Sequence, residues 1–129
     1  MAGKSHLNEI PVADVIATGG FTIDPNQSFS ALTVPEKRIF VLTDVIVFPL
    51  VDGDNPNFII RYRIEEHAPG APIGTGSKFQ YNTVGTGENW SQHFTSGIKF
   101  AGGTTVEVVN TSFSTARAGF QLLGYFTEP

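Results

Sequence analysis

The sequence contains no cysteine, so neither a disulfide framework nor a thiolate metal site is open to it. Charge is scarce as well. Asp, Glu, Lys and Arg make up 16% of the residues, against about 25% in an average soluble domain. The eight Lys and Arg are scattered and the net charge is −4; both argue against a nucleic-acid partner, which demands clustered cations. Long apolar runs are missing. The longest, Val45 to Val51, holds a proline and falls far short of the roughly 18 to 20 residues that cross a membrane as a helix. Met1 to Ile10 is polar and lacks the apolar core of a secretory signal. No segment keeps a helical apolar period, and no repeat or low-complexity tract stands out.

What is present is the inventory of a β protein. The 129 residues suffice for one domain with a real core, and the 40% apolar content excludes wholesale disorder. Val, Ile and Thr total 34 residues against 6 Leu and 1 Met, and Gly and Pro add 22. These are the residues of pleated strands joined by tight turns. Alternation and turn residues predict eight strands: Val12 to Thr18, Ser28 to Val34, Arg38 to Phe48, Asn57 to Glu65, Lys78 to Val84, Trp90 to Phe100, Thr104 to Asn110 and Arg117 to Phe126. Ala101-Gly102-Gly103 reads as a hairpin turn between the sixth and seventh. The expected architecture is an eight-stranded antiparallel jelly-roll sandwich over residues 12–129, with sheets ordered 1-8-3-6 and 2-7-4-5, preceded by an N-terminal arm, residues 1–11.

That order makes a statement about side chains. A strand with one wet face alternates, whereas a strand covered on both faces is apolar at both parities. The fourth strand sets Phe58, Ile60, Tyr62 and Ile64 against Arg61, Arg63 and Glu65, and the fifth and seventh alternate in the same way. The third differs: Phe40, Leu42, Ile46 and Phe48 hold one parity, Ile39, Val41, Val45 and Val47 the other. In the eighth, Phe120, Leu122 and Phe126 oppose Leu123 and Tyr125. Strands three and eight are neighbours in a jelly roll, so together they expose an apolar patch that monomers seldom leave wet. Phe40, Leu42, Ile46, Phe48, Leu123 and Tyr125, or their neighbours of opposite parity, are therefore the candidate residues of an interface between subunits. Cover by a loop or by the N-terminal arm of the same chain is the alternative.

Two segments, Phe94-Thr95-Ser96-Gly97-Ile98-Lys99-Phe100 through Gly103 to Val106-Glu107-Val108 and the ending Gly119 to Phe126, carry a family likeness. With the strand pattern they resemble the compact jelly rolls of the tumour-necrosis-factor and complement globular-head type, and the heads of phage and viral fibres or decoration proteins. The resemblance implies a hairpin at the oligomer edge and a final strand central in the sheet that packs around a threefold axis. It further implies a trimer with a structural or attachment role. The missing cysteines and signal sequence favour the virion or particle members.

Signals for chemistry are thin. His6, His67 and His93 lack the His-x-His pair of a cupin metal site. Glu65 and His67 share a face and could clasp a cation, but two such residues at a strand end read more simply as a solvated rim. His93 reads as exposed or interfacial. Asp52, Asp54, Asn55 and Asn57 gather oxygen ligands suited to calcium, without the completing Glu of an EF-hand, and Asp-Gly-Asp-Asn-Pro is equally an ordinary turn. Gly74-Thr75-Gly76-Ser77-Lys78 lacks the spacing of a phosphate loop. No Gly-x-Ser-x-Gly occurs, and the acceptor sequences Asn89-Trp90-Ser91 and Asn110-Thr111-Ser112 have no secretory signal beside them.

The expectation is a non-enzymatic structural, decoration or attachment subunit of a virion-like or extracellular particle. It needs no cofactor or metal, it is a homo-oligomer and expected trimer, and residues 1–11 anchor it to a capsid or other assembly protein. A first alternative is a carbohydrate-binding module in which Trp90 stacks on a glycan beside Asp52, Asp54 and Asn57. A second is a cupin-like metal enzyme using His67. Neither a membrane nor a nucleic acid is an expected partner.

Overall fold

A computed structural model of the protein describes residues 15–50, 58–68, 71–72, 76–85, 89–112 and 117–129. Among these residues the chain forms nine strands: β1 (Val15–Ala17), β2 (Phe21–Ile23), β3 (Ser28–Thr33), β4 (Ile39–Leu50), β5 (Phe58–His67), β6 (Phe79–Gly85), β7 (Trp90–Phe100), β8 (Thr105–Asn110) and β9 (Arg117–Thr127). No helix is present among them, and hence none long and apolar enough to cross a membrane. Every pairing is antiparallel. One sheet has five strands, ordered β1-β9-β4-β7 with β2 also on β9; the other has four, β3-β8-β5-β6. Residues 1–11 of the expected arm lie outside the described residues.

The expected eight strands and their order are corrected by β2. Phe21-Thr22-Ile23 is enclosed by Gly19-Gly20 and the turn at Asp24-Pro25-Asn26, too short to display an alternation. It nevertheless pairs with Phe120 to Ala118, below the place where β1 pairs with Tyr125 to Leu123. Thr18 bridges the two pieces. Its N–H donates to Leu122 O at 2.9 Å, and its Oγ1 accepts from Leu122 N at 3.0 Å. The turn that follows has Pro25 second and Asn26 third at φ 63°, with Gln27 N donating to Asp24 O at 3.1 Å. A positive φ at the third position is what a type II turn requires.

A bulge in β4 accounts for much of its double apolar pattern. Leu42 pairs with Gly124 and Asp44 with Leu123, which leaves Thr43 as the extra residue. Side chains change phase there. Phe40 and Leu42 point inward before the bulge, and Val45 and Val47 after it, all four at 0% exposure. Across the same site residues 94–97 of β7 bow out of register, with Gly97 at φ 71°. A Cβ on Gly97 would lie 2.3 Å from Val41 Cγ1, so a side chain there is excluded twice over.

The two sheets share one core. Ile60, Tyr62 and Ile64 of β5 and Val106 and Val108 of β8 meet Phe40, Leu42, Phe100, Phe120 and Leu122 of the other sheet. Tyr62 and Phe120 touch across the sheets at 5.3 Å between ring centroids. Burial of each such side chain contributes about 1.5–3 kcal/mol. Among the described residues the Tyr62 hydroxyl has no hydrogen-bond partner. Burial, with Tyr81 beside it, pushes its ionisation far above the ordinary tyrosine range. Ala101–Gly103 is a tight turn, with Thr104 N donating to Ala101 O at 3.3 Å, but not the expected hairpin: β7 and β8 belong to different sheets.

Candidate functional site on the outer sheet faces

β4 and β9 run side by side, from Ile39 opposite Thr127 to Leu50 opposite Arg117. Their alternation, phased by the bulge, sends Val41, Asp44, Ile46, Phe48 and Leu50 outward on β4. Gly119, Gln121, Leu123 and Tyr125 face outward on β9. The Phe48 ring lies over Gly119, where a Cβ would stand 3.2 Å from its Cδ2. Ile46, Phe48 and Leu123 are half-buried, while Leu50 and Tyr125 are 40% and 38% exposed. Of the six expected interface residues, Ile46, Phe48, Leu123 and Tyr125 thus occupy this face. Phe40 and Leu42 do not: the phase before the bulge places them in the protein's own core. Asp44 and His93 meet at the rim, Nδ1 to Oδ1 2.9 Å, and His93 is largely exposed.

The outer face of the four-stranded sheet is built from opposite materials. Arg61, Arg63, Glu65 and His67 follow one another along β5, and Glu65 stands directly opposite Glu107 of β8. Like charges so placed repel, yet Glu65 is 0% and Glu107 4% exposed. Each carboxylate has its own donors. Glu65 accepts from Arg63 Nε and, at 2.6 Å, from His67 Nε2; Glu107 accepts from Ser30 Oγ. Among the described residues His67 Nδ1 and Glu107 Oε2 have no hydrogen-bond partner. The expected solvated rim at Glu65 and His67 is therefore corrected to a buried pair. Glu66, on the opposite face, accepts from Ala101 N at 2.7 Å and pairs with Lys78 at 3.1 Å. Among the described residues no group of three or more Asp, Glu or His has an arrangement that could hold a metal ion.

Trp90 stacks on Tyr81 at 4.9 Å, and Phe79 meets Phe94 edge-on at 4.6 Å. These contacts close the gap between β6 and β7, so the half-buried indole is part of the packing. Asp52, Asp54 and Asn57, its expected partners in a glycan cleft, lie outside the described residues, as do His6 and Asn55. A groove of about 410 Å³ opens at the far end of β7, beside Arg38, Lys78, Lys99, Glu36 and Glu66. This groove and Trp90 are thus at opposite ends of the strand. Sequence reasoning missed the Asp44–His93 and Glu65–Glu107 juxtapositions, because only cross-strand register brings those residues together.

No protein-family model and no curated protein matches the sequence. Among solved structures, the chain has a loose likeness to a chain of the "Acidic stable capsid structure of Helicobacter pylori bacteriophage KHP30". Identity is 7% and the TM-score 0.40, over 89% of this chain and 96% of that one. RmlC from Streptococcus suis, solved with dTDP-D-xylose, is more distant: 10% identity and a TM-score of 0.28, over 96% of this chain and 53% of that one. Likenesses this faint transfer no function.

Proposed function

We propose that this chain is a non-enzymatic structural subunit of jelly-roll type that assembles with copies of itself, as a trimer, within a virion-like or extracellular particle. The observation that carries the reading is the outer face of β4 and β9, where Ile46, Phe48, Leu50, Leu123 and Tyr125 form an apolar strip along one sheet. The groups with catalytic potential on the other sheet are engaged with one another within the fold. A stable interface buries about 1,200–2,000 Å² in total, with an apolar centre and a polar rim. The strip supplies the centre and the Asp44–His93 pair the rim. Residues 1–11 anchor the subunit to a second assembly protein in this reading.

Native mass spectrometry and light scattering at micromolar concentration test it. The expected result is a trimer that Leu123→Asp converts to a folded monomer. A wild-type chain that stays monomeric overturns it.

A further inference from the structure

A sheet edge offers unpaired N–H and C=O groups to any strand that can reach it, and proteins block such edges with bulges, breaks and charge. Among the described residues this fold has four edges, and three are blocked. The β1–β2 edge is broken at residues 18–20, where Thr18 turns its own groups to Leu122. β3 shifts register between Ser30 and Leu32. β7 bows out over residues 94–97 and carries His93 and Lys99. The fourth edge, β6, has none of these devices. Phe79 to Gly85 pairs with Ile64 to Phe58 without a single shift. The strand holds neither proline nor charge, and Gln80 and Asn82 are exposed. Among the described residues it bonds to β5 alone.

We propose that β6 is a strand-addition site whose occupant is β6 of a second copy, paired antiparallel about a twofold axis. The strand suits itself as a partner. In a chain of net charge −4 it is an uncharged approach, and centring the pair on Asn82 sets no charge within Phe79–Gly85 against another. Asn82 then meets its own copy at the axis on the outer face, with Gln80 opposite position 84 on either side. On the inner side Tyr81 stands opposite position 83 and Phe79 opposite position 85, so the Phe79–Tyr81 stack at 5.7 Å stays within each copy. The contact is isologous and closes after two copies. It uses none of the β4–β9 strip, so it stands or falls separately from trimer formation.

The cysteine-free chain makes the test direct. Asn82→Cys places the two sole thiols of a pair at the twofold axis, with Cα atoms about 4.5–5.5 Å apart, within the range that a disulfide spans. Under mild oxidation at micromolar protein, Asn82→Cys is expected to form a linked dimer at least about tenfold faster than Thr33→Cys on the blocked β3 edge, because pairing raises the local thiol concentration. Adding Gln80→Lys is expected to slow the linkage, and adding Leu123→Asp to leave it unchanged. Equal linkage rates for the Asn82→Cys and Thr33→Cys variants, or indifference to Gln80→Lys, overturn the proposal.

Discussion

The two outer faces of this fold are made from the same pleated geometry and treat water in opposite ways. On the four-stranded sheet the outward residues of β5 and β8 include charged groups that engage one another: Arg63, Glu65 and His67 in sequence, Glu107 with Ser30. On the five-stranded sheet Ile46, Phe48, Leu50, Leu123 and Tyr125 face outward among a few polar neighbours such as Asp44 and Gln121, and Leu50 and Tyr125 remain open to solvent. One face sets charged groups against one another within the chain, while the other leaves apolar side chains partly open to water. Scarcity of charge in the sequence is thus not uniform. Among the described residues Glu65 and Glu107 are the charged side chains that the fold takes out of water.

Substitutions sharpen this contrast. The largest effect is expected inside: Phe40→Ala should cost about 3–5 kcal/mol in chemical denaturation, whereas Phe48→Ala, on the outward side of the same strand, should shift monomer stability far less and weaken association instead. Equal losses of stability at both positions would erase the distinction between core and outer face. Glu65→Ala comes next. It leaves the Arg63 guanidinium and the His67 ring without their shared acceptor and should cost about 3–5 kcal/mol, as breaking one side of a buried ion pair does. At the Asp44–His93 rim the same kind of change is expected to be small, below about 1 kcal/mol for Asp44→Asn, because that pair is solvated.

Tyr62 supplies a pH-dependent break. Its phenol ionises less readily folded than unfolded, so the neutral form stabilises the fold fully below the ordinary tyrosine pKa of about 10, and that stability is lost as pH rises above it. Tyr62→Phe is expected to abolish this alkaline loss. At neutral pH it should change stability little, since among the described residues the hydroxyl has no hydrogen-bond partner to lose. Thermal melts at pH 8 and pH 11 for both chains check the sign.

Much of this was legible in the residues. Alternation at Ile60, Tyr62 and Ile64 against Arg61 and Arg63 gave the orientation of β5, and the doubled apolar parity of β4 and β9 marked the strip between them. Two things were hidden for physical reasons. Thr43 has no local signature as a bulge residue, so the phase change that draws Phe40 and Leu42 into the core had to come from the register with β9. Glu65 and Glu107 are distant in sequence, and nothing in either segment announces that they face each other. Trp90 had two readings open to it, and the stacking on Tyr81 supports the packing one.

The place of β9 has a consequence in time. It follows the other eight strands in sequence among the described residues, yet it lies at the middle of the five-stranded sheet, with Val15 opposite Tyr125 and Ile39 opposite Thr127. Contacts of such separation close slowly. During synthesis β4 therefore waits, apolar and unpaired along one side, until residues 117–127 emerge. In this fold the risk of misassembly falls in the interval before β9 arrives, and crowded, rapid production of the chain is where that interval matters most.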